Sequence, residues 1–393
     1  MRVLAVGNMY PPHHRGGYEL VWRSAMHHLR EQGHIVRVLT TDFRTDTGAP
    51  DEPDTFRELR WYWRDDAWLR ISLRERIAVE RHNAAVLARH LEELAPDVVS
   101  WWSMGGMSLA LLERVRRVGL PAVAFALDDW LLYAPVSDRW TGPFRRLPFV
   151  APLVEFLTGL PTRVDLDASA TFVLVSEAVR RHAREAGYRL EGSRIAHTGV
   201  DPEFLNPRPE GEWGWRLLYV GRINESKGVT DAVDALAALE EPTASLTIAG
   251  AGEQRALDPL LEQVRGLGLD GRVHMLGMQA RSQLPAVYEA ADVVLFPVRW
   301  EEPWGVVQLE AMALGRPVVT TGTGGTGEYL RDGENCLLVA PERPEELAAA
   351  VRRLHGDPGL RARLRTGGSA TARRHTETIF NEAALAALSA ACV

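Results

Sequence analysis

Apolar residues along this chain fall into short β-branched runs and longer helical patterns that alternate from end to end. That alternation predicts a parallel α/β architecture, because each crossover between parallel strands brings a helix onto the sheet. In the first half the runs predict strands near 2–6, 35–40, 97–101, 121–126, 171–175 and 193–196, with helices near 18–31, 71–94, 107–118 and 176–187. A polar, proline-containing stretch, Asn206-Pro207-Arg208-Pro209-Glu210-Gly211-Glu212, then interrupts the order and predicts a linker. The alternation restarts with strands near 215–220, 244–249, 272–276, 292–296, 317–321 and 336–339. Helices near 228–240, 254–266, 282–290, 304–314 and 343–355 separate them. The last helix, from about 377 to 391, is Ala-rich and weakly polar, so it needs a surface to pack on.

Two Rossmann-like parallel-sheet domains joined by one linker are the economical solution, and 393 residues suffice for two cores. The expected division is 1–204 and 205–376, with the C-terminal helix, about 377–393, packing back on the first domain. Ligands of open α/β sheets sit at the carboxyl ends of the strands. A cleft between two facing domains is therefore the expected site.

Composition narrows the function. Hydrophobic content of 46% and charged content of 25% are ordinary for a soluble globular chain. A formal charge of −7 and a pI near 6.0 speak against a nucleic-acid binder, which would carry a basic field. Cys336 and Cys392 are the only cysteines, with no CxxC, which excludes a disulfide framework or zinc module and fits a reducing, cytoplasmic setting. The N-terminus enters a strand pattern at once and offers no cleavable signal. No uncharged apolar stretch approaches the roughly 18 residues of a membrane span; the nearest apolar stretch, Leu147 to Leu160, is shorter and is broken by Pro148 and Pro152.

Of 45 cationic residues one is lysine, Lys227. It lies in Gly221-Arg222-Ile223-Asn224-Glu225-Ser226-Lys227-Gly228, just past an apolar run. An ammonium is a compact point charge on a flexible stem, whereas guanidinium is a planar fork. One of each, five positions apart at the carboxyl end of a strand, suits a diphosphate. The alternative is a leftover surface lysine.

A second candidate follows another strand end, Arg299-Trp300-Glu301-Glu302-Pro303-Trp304-Gly305-Val306-Val307-Gln308-Leu309-Glu310. Pro303 suits a first helical turn, so Gly305 and Val306 would present free amides at a positive helix terminus. Glu302 would precede that turn and Glu310 would sit about two turns in, one reaching a sugar hydroxyl and the other a ribose. Two acids beside an anion need the Arg/Lys pair opposite. The alternative is a surface helix with ordinary glutamates.

These pieces continue into Gly315-Arg316-Pro317-Val318-Val319, Gly324-Gly325-x-x-Glu328 and Asp332-Gly333-x-Asn335. In order and spacing they resemble the family 4 glycosyltransferases, which have the GT-B fold. Gly16-Gly17, Val175-Ser176-Glu177 and Gly199-Val200-Asp201 resemble that family's first half more loosely. The resemblance implies a retaining transferase without a bound metal or cofactor, using a nucleoside-diphosphate sugar as donor. It implies that Arg222 and Lys227 neutralise the diphosphate and that Glu302 holds the transferred sugar beside the amides of Gly305 and Val306. By the same resemblance Glu310 binds the ribose, Gly277 and Met278 lie against the base, and Gly16 and Gly17 close over the phosphates. The partners implied are a nucleotide sugar and a glycosyl acceptor, which is a glycan, a lipid-linked glycan or a small-molecule natural product.

The chain departs from the family where many members carry His-Asp-x-Trp; it reads Leu127-Asp128-Asp129-Trp130. Asp128 or Asp129 is then the candidate on the acceptor side, with Trp130 and with His13 beside the glycine turn; a solvated loop pair is the alternative. Arg60-Trp61-Tyr62-Trp63-Arg64 with Trp68, and Trp140, Phe144, Arg145, Arg146 and Phe149, mix aromatics with cations, diluted by Asp65 and Asp66. A peripheral membrane contact, an acceptor pocket and plain core packing all fit them. Two rival functions share the ligand class, a sugar-nucleotide 2-epimerase and a non-catalytic nucleotide-sugar binder. A dehydrogenase is disfavoured, since the first strand leads into Gly7-Asn8-Met9-Tyr10-Pro11-Pro12 and not a GxGxxG turn.

Overall fold

In the computed structural model, which describes residues 1–46, 48–64 and 67–392, the chain separates into two units. One comprises Met1–His197 together with the stretch from Phe380 onward, the other Thr198–Ile379. Asp65 and Asp66, and Val393 at the end of the expected last helix, lie outside the described residues.

The first unit runs β1 (Arg2–Val6), α1 (Gly17–Glu31), β2 (Ile35–Thr41), β3 (Thr55–Leu59), a short hairpin of β4 (Trp63–Arg64) and β5 (Ala67–Trp68), then α2 (Leu73–Leu94) and β6 (Val98–Trp101). It continues through α3 (Ala110–Arg117), β7 (Ala122–Ala126), α4 (Trp130–Ser137), α5 (Thr141–Arg146), α6 (Ala151–Thr158), α7 (Leu166–Ser169), β8 (Thr171–Leu174), α8 (Glu177–Glu185) and β9 (Arg194–Ile195). Seven parallel strands pair in the order β3-β2-β1-β6-β7-β8-β9. Val3 to Val6 are wholly buried, as expected of a strand covered on both faces. Above them Trp22 stacks on Trp102 at 5.7 Å and Trp102 on Phe125 at 4.3 Å.

The second unit runs β10 (Arg216–Val220), α9 (Val229–Ala238), β11 (Ser245–Ala249), α10 (Gln254–Gly266), β12 (Val273–Gly277), α11 (Leu284–Glu289), β13 (Val293–Phe296), α12 (Val306–Ala313), β14 (Val318–Thr320), β15 (Leu337–Leu338), α13 (Pro344–Gly356) and α14 (Pro358–Ala372). The last helix, α15 (Glu377–Ala391), starts here and passes into the first unit, where Phe380 meets the Phe125 ring and Asn381 donates to the Ser24 hydroxyl. Six parallel strands pair in the order β12-β11-β10-β13-β14-β15. Leu217, Ile248, Leu295 and Val319 of this sheet pack against α9 and α13 through Leu236, Val351 and Leu354. Both sheets reverse direction at one point, between β1 and β6 and between β10 and β13. In such sheets the loops leaving the two strands diverge there and open a crevice. The hydrophobic pattern did not announce β3, the β4–β5 hairpin, α14 or the four helices α4 to α7.

Candidate active site

The two motif loops leave β10 and β13 on either side of the second unit's reversal point, which is why residues 75 positions apart meet. In the first loop Asn224 caps a 3-10 turn, Glu225–Lys227, its side chain accepting from the Lys227 amide at 3.0 Å. The Tyr219 hydroxyl donates to the Arg222 carbonyl at 2.9 Å and holds the start of the turn. Gly228 ends it with φ +67°, and a Cβ there would lie 1.9 Å from the Pro297 carbonyl oxygen. Only glycine permits both the turn and that approach. Arg299 staples the two loops: its amide donates to the Ser226 carbonyl at 2.9 Å, and its guanidinium grips Asp231 at 2.5 and 2.9 Å and Thr230 at 2.9 Å.

Lys227 and Glu302 are thereby brought into contact. The ammonium donates to Glu302 Oε2 at 2.5 Å, and their side chains are 10% and 12% exposed. The Trp300 indole N–H donates to the same oxygen at 2.8 Å, and the ammonium lies 5.3 Å from the Trp300 ring and 5.7 Å from that of Phe296. Burial lowers the Lys227 pKa, the Glu302 carboxylate works to raise it, and the Arg222 charge lowers it further. Arg222 itself is exposed, and its guanidinium has no hydrogen-bond partner among the described residues. The site thus holds one paired cation and one cation open to a ligand.

Glu302 is fixed from the third loop, after β14, where Gly324 bridges it and the Gly325 amide donates to its carbonyl at 2.7 Å. Pro303 precedes helix α12 rather than opening it. The N-cap is Gly305, at φ +76°, whose carbonyl accepts from the Tyr329 hydroxyl at 2.6 Å. Val306 begins the helix, so its amide belongs to the first turn, which has no intrahelical acceptor. Glu310 then sits one turn in rather than two. It accepts from the Tyr288 hydroxyl at 2.7 Å. Burial raises its pKa, against the Tyr288 hydrogen bond and the Arg281 charge. Arg281 is held by Glu377 and lies 3.6 Å from Asp201. Gly277 closes β12 and accepts from the Gly250 amide at 2.9 Å, while Met278 projects outward, 73% exposed.

The first unit's candidates cluster at the carboxyl ends of β1 and β7. Gly16 is the N-cap of α1 with its amide donating to Glu19 at 3.1 Å, and Gly17 follows in open space. His13 is buried, its Nδ1 accepting from the Thr45 amide at 3.1 Å and its Nε2 3.2 Å from Arg44; burial lowers its pKa. Asp128 accepts from the Trp130 amide at 3.0 Å and the Tyr133 hydroxyl at 2.9 Å. Asp129 meets His182 Nδ1 at 3.0 Å. Trp130 is wholly buried with its indole N–H on the Phe125 carbonyl, and the displaced motif position Leu127 is buried too.

Residues 203–370 match the family model of glycosyl transferases group 1, and residues 15–204 match that of glycosyltransferase family 4. Each half of the chain thus matches a glycosyltransferase family model. The chain is 40% identical over 149 residues to glycogen synthase of Mycobacterium tuberculosis, 37% of this chain and 35% of that one. It is 37% identical over 169 residues to D-inositol 3-phosphate glycosyltransferase of Rhodococcus jostii, 41% and 36% of the two chains. It thus spans little more than a third of the length of these curated relatives. The Anabaena HepE structure, solved with UDP and glucose, superposes with a TM-score of 0.72 at 21% identity, covering 98% of this chain and 99% of that one. WaaG, a glycosyltransferase involved in lipopolysaccharide biosynthesis, gives 0.68 at 21% over 98% and 99%. The chain therefore has the GT-B fold, two Rossmann-like domains. Four participants escaped the sequence reading as site residues: Arg299, Trp300, Tyr288 and Arg281. Trp300 and Arg299 stood inside the quoted motif, whereas Tyr288 and Arg281 lie in a segment with no motif of its own.

Proposed function

We propose that this chain is a glycosyltransferase that moves a sugar from a nucleoside-diphosphate donor with retention of anomeric configuration and without a bound metal. The observation that carries the reading is the buried Lys227–Glu302 pair at the reversal point of the second unit, with Arg222 open beside it. An incoming diphosphate competes for the ammonium. Its negative charge, facing Lys227 and Arg222, replaces the carboxylate as their partner. Glu302, still oriented by Trp300, is then available to accept hydrogen bonds from hydroxyls of the transferred sugar. The first-turn amide of Val306 adds a donor at a positive helix end. Glu310, on the same helix, accepts from the ribose hydroxyls, and Gly277 and Met278 face the base.

In the chemical step the bond between the anomeric carbon and the phosphate oxygen breaks and a bond to the acceptor oxygen forms. The departing diphosphate gains negative charge and takes up the acceptor's proton. Cations fixed before the reaction stabilise that charge without reorganising, a contribution of the kind worth about 10²–10³ in rate. The acceptor side is assigned to the first unit, with Gly16, Gly17, Asp128 and Asp129. The glycosyltransferase name of the Rhodococcus jostii relative supports the reaction type, and the UDP and UDP-glucose complexes of HepE support this donor class. The test is turnover of the purified chain on a panel of UDP-, GDP- and ADP-sugars with sugar and lipid-linked acceptors. Release of nucleoside diphosphate with a glycosylated product is expected. Sugar epimerisation without transfer, or binding without any turnover, would overturn it.

A further inference from the structure

The crossover between β7 and β8 is far longer than a parallel pair requires, a connection of a dozen or so residues being enough. It carries α4 to α7, and the part around α5 and α6 has an unusual outer surface. The inner side of this segment is ordinary: Phe144, Ala151 and Leu160 pack with Trp140, Ala84 and Ala110. The outer side is not. Leu147, Phe149, Leu153, Phe156 and Leu157 are between 49% and 85% exposed. Leu153, Phe156 and Leu157 fall on one stripe of α6, and Phe149 lies in the turn just before it. Exposed apolar residues are unremarkable singly, but a contiguous group marks an interaction surface.

Charge selects the partner. From Thr141 to Arg163 the chain has three cations, Arg145, Arg146 and Arg163, all exposed, and one acid, Glu155. Glu155 is turned into the protein, paired with Arg117 at 2.6 Å and accepting from the Thr162 amide at 3.0 Å. Arg163 donates to the Pro148 carbonyl at 2.5 Å, which fixes it beside the apolar group. On a chain whose overall charge is −7, the exposed charged residues of this segment are therefore all arginines. An eight-residue helix is too short to span a bilayer, and among the described residues no helix is long and apolar enough to do so. It can lie in the interface, with its apolar face at the headgroup–acyl boundary and its cations on lipid phosphates.

We propose that the α5–α6 surface of the first unit seats the protein on a bilayer containing anionic lipid. Phe149, Leu153, Phe156 and Leu157 enter the boundary, and Arg145, Arg146 and Arg163 meet the phosphates. The surface relocates the contact from Trp61, Tyr62, Trp140 and Phe144, which are buried core. It does not depend on the glycosyl-transfer reading.

The experiment is flotation of the full chain with phosphatidylcholine vesicles, with and without phosphatidylglycerol, at low and high salt. Binding to the anionic vesicles alone, weakened by salt, is expected. Phe149→Ser with Phe156→Ser should lower partitioning more than tenfold, and Arg145→Gln with Arg146→Gln about fivefold per arginine. Thermal stability should be unchanged, because these side chains are exposed. Equal binding to neutral vesicles, no flotation, or flotation indifferent to both double variants would overturn the proposal. So would a concentration-dependent oligomer that the phenylalanine variants dissociate without any vesicle binding.

Discussion

An ammonium and a carboxylate 2.5 Å apart, each about nine-tenths out of water, are a unit whose halves cannot be removed independently. Lys227→Ala leaves the Glu302 carboxylate with the Trp300 indole as its remaining side-chain donor, so both turnover and stability should fall. Turnover should drop about 10²–10³-fold. Lys227→Arg keeps the charge but brings a planar fork between Phe296 and Trp300, where it would grip Glu302 through two bonds and release it poorly. Steady-state kinetics of Lys227→Arg decide this point: a rate near that of the parent would sink the argument that the ammonium's shape matters. At Glu310 the expected change is in binding. Glu310→Ala removes an acceptor held by Tyr288, and titration calorimetry should show donor affinity at least about tenfold weaker, with melting temperature little changed. An unaltered affinity would remove Glu310 from the nucleotide site.

At the level of elements, the loops after β10 and β13 behave as one body because Arg299 and Gly228 leave no room between them. Gly228→Ala would put a Cβ 1.9 Å from a carbonyl oxygen, in a left-handed conformation that already disfavours any side chain. A loss on the order of 4 kcal/mol is expected, about 10 °C in melting for a unit of this size. Differential scanning calorimetry that finds Gly228→Ala as stable as the parent would show the loops to be separable. Much of this layer was legible in the sequence, since buried parallel strands and regular amphipathic helices announce themselves. What was not legible has physical reasons. β3 is an edge strand, half-buried along most of its length, so Thr55-Phe-Arg-Glu-Leu59 shows no apolar run. Helix α14 carries Gly367 and Gly368, poor helix formers; a Cβ on them would lie 2.2 Å from the Glu334 carbonyl oxygen and 2.9 Å from Met312. Tertiary crowding, not propensity, chose those residues. Helices α4 to α6 are apolar on two sides and interrupted by prolines, so no single stripe stands out. The site followed the same logic: Lys227, Glu302 and Glu310 were visible as motif residues, whereas Tyr288 and Arg281 became partners only through the fold.

For the whole molecule, one buried acid contributes a pH-dependent part of the stability whose direction can be worked out. Glu80, on α2, is 2% exposed and accepts from the Tyr62 hydroxyl at 2.6 Å. Near it is the buried Asp138, whose oxygens accept from the Leu109, Trp140 and Thr141 amides and from the Thr141 hydroxyl. Burial first, and then the Asp138 charge, push the Glu80 pKa from 4.5 to about 8. Below pH 4.5 the folded and unfolded chains both hold this proton, and the stability it confers is fully present. Between 4.5 and 8 the unfolded chain releases the proton while the folded one retains it, so the unfolded state binds fewer protons. Stability then falls as pH rises, by about 1.4 kcal/mol per unit for this one group, and the loss levels off above the folded-state pKa. Glu80→Gln removes the titration while keeping a carbonyl for the Tyr62 hydroxyl. The variant should lose most of the decline between pH 5 and 8 and should melt higher than the parent at pH 8. Denaturant titrations across that range give the answer, and parallel stability curves for the two proteins would mean that Glu80 is ionised in the folded chain after all.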